Sequence, residues 1–212
     1  MHITLFSSNG PVAKRLIKQS LNRGFTLTAF GRNIEDWIDE DNRNERLIAI
    51  KGYVFDKKNL ASALRDADTA IVLFEGMNDS ADKSRSLGIK HIAEAMQQCH
   101  VKRIIMVCSS GILNEDEDTF VMDTPDFPEK KLPVAQEELK MFEYIQSTNL
   151  LWTCFCPDSI IDADETGLFT TNLNLMNQPT HSPVNAGDLA LCILNEVENN
   201  AFIHQRVEIH NT

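Results

Sequence analysis

The residues that invite chemistry lie at three turns. Ser7-Ser8-Asn9-Gly10-Pro11 closes an apolar run, His2 to Phe6, and opens a helical pattern carried by Val12, Leu16, Ile17 and Leu21. A glycine between strand and helix lets the backbone bend sharply toward an anion, the helix N-terminus offers its free amides to phosphate, and Pro11 suits a first helical turn. The GxxGxxG frame falls on Ser7, Gly10 and Ala13, so small residues replace the outer glycines and the hydroxyls of Ser7 and Ser8 add donors. About twenty residues on, Gly31-Arg32-Asn33 ends a second apolar run. A carboxylate there would hold a ribose diol, whereas the Arg32 guanidinium pairs with a 2′-phosphate, which points to NADP rather than NAD. The third turn, Ser109-Ser110, follows Arg103 to Val107, where a substrate carbonyl would lie beside the nicotinamide. Ser110 is the expected catalytic hydrogen-bond donor there, and Asp158 and Ser159, just past Pro157, form the opposite wall of the substrate site.

The elements that must position these turns alternate. Strand patterns at His2 to Phe6, Phe25 to Phe30, Arg46 to Ile50, Thr69 to Phe74, Arg103 to Val107, Leu150 to Cys156 and Arg206 to Ile209 are separated by helical patterns. These helices are expected at Val12 to Leu21, Ile34 to Asp39, Leu60 to Leu64, Ser80 to Gln98, Val134 to Gln146 and Gly187 to Glu198, with Leu87, His91, Ile92, Ala95 and Met96 on one stripe of the fourth. Such alternation predicts an α/β fold, a Rossmann-type doubly wound and mostly parallel sheet in one domain over residues 1–212, with ligands at the carboxyl ends of the strands. Two stretches break the pattern. Residues 112–133 hold seven acids against Lys130 and Lys131 and read as a loop, within which Glu115 to Glu129 is expected to form a mobile flap too polar to bury apolar area. Residues 158–183 read as an irregular segment on the substrate side.

Charge and cysteines narrow the partners. A formal net charge of −11 disfavours nucleic acid and anionic membranes, both of which need a basic face. Cys99, Cys108, Cys154, Cys156 and Cys192 make an odd count without CxxC spacing, in apolar surroundings, and read as reduced buried thiols rather than a metal site. No apolar run reaches the roughly 20 residues of a membrane span. The expectation is a cytoplasmic monomer or homodimer whose partner is a small-molecule acceptor.

With these pieces in place, the chain resembles the NmrA-like, NAD(P)-binding group of atypical short-chain dehydrogenases/reductases, and in length and order the biliverdin reductase B / flavin reductase type. The resemblance rests on Ile3 to Gly10, Phe30 to Asn33, Ala70 to Phe74 with Asn78-Asp79, Ile104 to Ser110, Ser147 to Thr153 with Pro157, and Val184 to Ala190. It implies NADP-binding positions at Ser8, Asn9 and Gly10, at Arg32, and along Phe74, Glu75, Ser109 and Ser110, and it sets Ser159 where flavin reductases carry an active-site histidine. Two readings stay open: an NADPH-dependent reductase of a flavin, quinone or similar acceptor, and a non-catalytic NADP-binding sensor. Tyr53 and Lys57 have the YxxxK spacing of short-chain dehydrogenases, whose tyrosine is a general acid, but they follow the third strand instead of lying on the helix after the fifth; Tyr144 is followed by Thr148, not lysine. Without a tyrosine acid at the nicotinamide end, the expected acceptors are flavins and quinones, whose reduced forms can take a proton from water, with Ser110 giving a hydrogen bond and no proton.

Overall fold

In the computed structural model, residues 1–7, 10–34, 44–74, 83–175 and 182–212 are described. The strand β1 (His2–Ser7) pairs in parallel with β2 (Thr26–Gly31) on one side, and β2 with the edge strand β3 (Leu47–Lys51). The chain then crosses over, and β4 (Thr69–Leu73) pairs with the other side of β1, followed outward by β5 (Arg103–Val107) and β6 (Leu151–Phe155). Winding therefore reverses between β1 and β4, which opens a crevice at their carboxyl ends. A two-stranded ladder joins β7 (Ile160–Ile161) to β9 (Val184–Asn185), while β8 (Phe169–Leu173) runs antiparallel to β10 (Gln205–Asn211). Among the described residues the main sheet has the order β3-β2-β1-β4-β5-β6-β10-β8.

Helices cover both faces because the central strands are apolar on both sides. On one face Leu16 and Ile17 of α1 (Pro11–Asn22) and Ile193 of α5 (Ala186–Asn199) pack on Ile3, Leu5, Ile71, Ile105 and Phe155. On the other, α2 (Lys57–Ala63), α3 (Ser84–Gln98) and α4 (Leu132–Gln146) bring Leu60, Ile92, Met96, Met141 and Ile145 onto Val72, Ile104, Met106 and Trp152. Each such fully buried side chain contributes about 1.5–3 kcal/mol. The expected α/β doubly wound fold is the one observed, and no helix among the described residues is long and apolar enough to cross a membrane.

Two expectations need correction, and a third falls largely outside the described residues. Leu87 does not share the core stripe of α3; it is 45% exposed, and Ile89 and Ala93 are buried with Ile92, Ala95 and Met96. Residues 158–183 are not wholly irregular, since they contain β7 and β8; β8 is an edge strand of mixed polarity whose partner lies more than thirty positions on, as in the pair Leu173 and Val207. The helix expected at Ile34 to Asp39 lies largely outside the described residues.

The acidic stretch 112–133 also departs from expectation. It buries Ile112, Leu113, Val121 and Met122, and Phe127 packs against the same core. Arg206 of β10 donates to the Ile112 carbonyl and, at 2.6 Å, to Asn114 Oδ1, with its guanidinium 5.7 Å from the Phe120 ring and 5.3 Å from that of Phe142. A handful of apolar residues and one half-buried cation thus override the polar composition. Hydrogen exchange in the ligand-free protein should separate the anchored amides of Leu113, Asn114 and Val121, which bond to Ser110, Asn174 and Leu113 carbonyls, from the exposed turn at residues 116–118. The anchored set is expected to exchange at least about tenfold more slowly. Equal rates across the segment would restore the flap.

Candidate functional site

The carboxyl ends of β4, β5 and β6 border an open cavity of about 260 Å³, lined by Leu73, Phe74, Val107, Cys108, Ser109 and the segment Pro157 to Ile160, with Val12 of α1 and Glu138 of α4 completing it. This is smaller than the pockets that hold a whole drug-sized ligand, and suits the reacting end of a larger ligand beside a small acceptor. Val12 brings the start of α1 to the cavity. Gly10 caps that helix in extended conformation, having no side chain to bond the first-turn amides, and the first turn holds no acidic residue to oppose an anion at the positive end of the helix dipole.

Of the site residues expected from sequence, Phe74, Ser109, Asp158 and Ser159 converge on this one cavity. Ser7 ends β1 and is buried, beside Leu73 in the register of β1 and β4. Arg32 is exposed in the turn after β2. Ser8, Asn9 and Glu75 lie outside the described residues. Ser110 does not line the cavity: it is 2% exposed, its amide donates to the Pro157 carbonyl at 3.1 Å, and its hydroxyl donates to Asp158 Oδ1 at 3.1 Å. Lys131 Nζ sits 3.6 Å from the same carboxylate oxygen.

Sequence reading missed Glu138. The Ser109 amide and hydroxyl both donate to its Oε2, at 2.8 and 2.6 Å, while Oε1 lies 3.7 Å from Arg85 Nε. Arg85 is 5% exposed, and its Nε has no hydrogen-bond partner among the described residues. Burial pushes the Glu138 carboxyl above the usual carboxylate range; the two Ser109 donors and the Arg85 charge pull the other way without overcoming it. A signal for this residue was present in the sequence: Ala135, Glu138, Phe142 and Ile145 share one helical stripe, so Glu138 is a carboxylate set among apolar positions.

Cys108 lines the cavity, and Cys154 on the neighbouring strand and Cys156 just past it are buried. Cys154 and Cys156 touch at 3.7 Å, and Cys108 is raised by its contact with Cys154 and by burial, so these sulfurs stay protonated and are poor nucleophiles. Cys99 is only half-buried, and all five cysteines are free.

Comparison with known proteins adds three likenesses to one family match. The family model described as NAD(P)H-binding matches residues 8–200. The protein YwnB of Bacillus subtilis is 23% identical over 99% of this chain and 98% of that relative. A solved structure from Bacteroides thetaiotaomicron, described as a candidate epimerase, superposes with a TM-score of 0.87 at 23% identity, covering 99% of this chain and 96% of the other. One from Streptococcus pneumoniae, described as a candidate NADH-flavin reductase, superposes with a TM-score of 0.84 at 22% identity over 100% of both chains. At such identities the structural likenesses establish the fold.

Proposed function

The chain belongs to the NAD(P)H-binding family, and from that premise we propose that it is a reductase that takes NADPH in preference to NADH and reduces a small acceptor such as a flavin or quinone. The observation that carries this reading is the cavity at the ends of β4, β5 and β6, set beside the start of α1, whose N-cap is Gly10. The residues present fit the dinucleotide. The α1 amides with Ser7, Ser8, Asn9 and Gly10 would hold the pyrophosphate, Arg32 the 2′-phosphate, and Phe74, Glu75 and Ser109 the path to the nicotinamide. When bound, the dinucleotide supplies the hydride chemistry. The protein's own part is to hold the acceptor in the cavity between Ser109 and the wall of Asp158 and Ser159, out of water. Because the Ser110 hydroxyl is engaged by Asp158, its role in this reading is to hold that wall while Asp158 and Ser159 face the acceptor.

Calorimetric titration with NADPH and NADH, followed by NADPH oxidation against flavins and quinones, tests the reading. Arg32→Ala should cut the preference for NADPH over NADH roughly 10- to 100-fold, the scale of a charge-assisted pair with phosphate. Equal affinities in the wild type, or a ratio untouched by the substitution, would remove NADP from the assignment. Tight NADPH binding with no acceptor-dependent oxidation would leave a non-catalytic NADP sensor in its place.

A further inference from the structure

We propose that Glu138 is a catalytic acid of this site, donating a proton to the oxygen of a carbonyl acceptor, with Ser109 as its positioning residue; this rests on the reductase reading above and extends its acceptors to aldehydes and ketones. Three observations converge. Glu138 lines the same cavity as Phe74, Ser109 and Asp158. It lies on α4, the helix that follows β5. Its Oε2 is held by both donors of Ser109, which fixes the carboxyl, while Oε1 accepts no hydrogen bond among the described residues and lies 3.7 Å from Arg85 Nε, a buried donor likewise without a hydrogen-bond partner among them. An acceptor oxygen in the cavity beside the Glu138 carboxyl would therefore meet an acid backed by the Arg85 charge, a pairing that favours a developing alkoxide.

The balance is simple. With the dinucleotide bound, the carbonyl carbon would take the hydrogen and bonding pair of a dihydronicotinamide C–H bond, which breaks, the C=O π pair would move onto oxygen, and that oxygen would take the Glu138 proton. The products are an alcohol, the oxidised dinucleotide and a Glu138 carboxylate that regains its proton from water. The groups facing Glu138 are Arg85 of α3, Cys108 of β5, and Cys154 and Cys156 of β6. Asp158 shares its cavity, and Glu137 on its own helix is tied to Ser86 and Lys140. Of these Arg85 favours the carboxylate, while burial among neutral thiols favours the acid.

The test uses NADPH with benzaldehyde as probe. Wild-type turnover should fall as pH rises and Glu138 loses its proton. Glu138→Gln, which still accepts both Ser109 bonds, should lower turnover roughly 100- to 10,000-fold while the NADPH dissociation constant from calorimetry stays within about twofold. Glu138→Asp, an acid one methylene short, should recover part of the loss. Infrared spectra of the dinucleotide-free protein at neutral pH supply a readout independent of turnover: a protonated-carboxyl stretch in the wild type that Glu138→Gln removes. The role of Glu138 is overturned if NADPH binds but benzaldehyde is not reduced, if Glu138→Gln keeps more than about a tenth of the activity, or if the infrared band is missing. Absence of NADPH binding instead overturns the reductase reading beneath it.

Discussion

Glu196→Ala is expected to destabilise the protein by about 3–5 kcal/mol, the cost of leaving a buried cation without its partner. Glu196 on α5 is 1% exposed. Its Oε1 accepts from Arg103 Nη2 at 2.5 Å and from the Thr153 hydroxyl at 2.9 Å, and its Oε2 accepts from the amides of Ala201 and Phe202 at 2.8 and 3.0 Å. Arg103, 6% exposed at the first position of β5, spends its other donors on the Ile104 and Leu151 carbonyls, the Thr153 hydroxyl and Asn200 Oδ1. Burial depresses the Arg103 guanidinium below its ordinary value, and the Glu196 charge and hydrogen bond offset this. Removing the carboxylate therefore leaves several buried donors and a positive charge with no counter-ion. Urea unfolding at neutral pH measures the loss as a lower midpoint with an unchanged slope. The paired variant Arg103→Met with Glu196→Leu should recover most of it, since an apolar pair needs no counter-ion. A single variant within about 1 kcal/mol of wild type would show that the pair is dispensable. The network sits at the amino ends of β5 and β6, opposite the cavity, so dinucleotide binding by the folded variant should be little changed.

Glu196 and Glu138 illustrate what the sequence makes legible. Both stand on otherwise apolar helical stripes, Leu189, Ile193, Glu196 and Val197 in α5 and Ala135, Glu138, Phe142 and Ile145 in α4, and both are buried. A carboxylate on such a stripe announces a buried partner. It does not name one, because Arg103 lies 93 positions from Glu196 and Ser109 lies 29 from Glu138, and only the parallel sheet brings them together. The central strands were readable because they are apolar on both faces: Arg103–Val107 is observed as expected, and Thr69–Leu73 within one residue of the expected end. The edge strand β8, with the sequence FTTNL, has one half-buried aromatic and no such signature. The cavity's position followed from the winding of the sheet, whereas Glu138 belongs to no recognisable motif and reaches the cavity only through the packing of α4.

The second large effect belongs to Asp188, whose side chain ties the loop at Thr166 and Gly167 and the strand residue Asn211 to the start of α5. It is fully buried at the start of α5. Oδ1 accepts from the amides of Thr166 and Gly167 at 2.8 and 2.7 Å, and Oδ2 from the Thr166 hydroxyl at 2.9 Å, Asn211 Nδ2 at 2.7 Å and Asn185 Nδ2 at 3.2 Å. The preceding Gly187 explains the local sequence: a Cβ there would stand 2.1 Å from the Glu165 amide nitrogen, so only glycine lets the 164–167 loop approach α5 closely enough for these bonds. The loop is also tied to α1, through Arg15 to Asp162 and Asp164, and the Val184 amide donates to the Ser159 carbonyl, so the clasp reaches the residues that line the cavity. Burial pushes the Asp188 carboxyl up, but the donors from Asn211, Gly167 and Thr166 outweigh it and hold the group below the usual carboxylate range. A carboxyl whose folded value is depressed contributes stability that is present above its unfolded value, near 3.9, and is lost as pH falls through the folded one. Asp188→Asn keeps the shape but turns one acceptor into a donor facing donors, and is expected to cost about 3 kcal/mol at neutral pH. Because the wild-type carboxyl becomes protonated in acid, the gap between the two proteins should narrow as pH is lowered below the ordinary carboxylate range. Urea unfolding of both proteins across that range checks the sign. A deficit that is constant from neutral pH into acid would mean that the lost stability came from shape alone and not from the charge of Asp188.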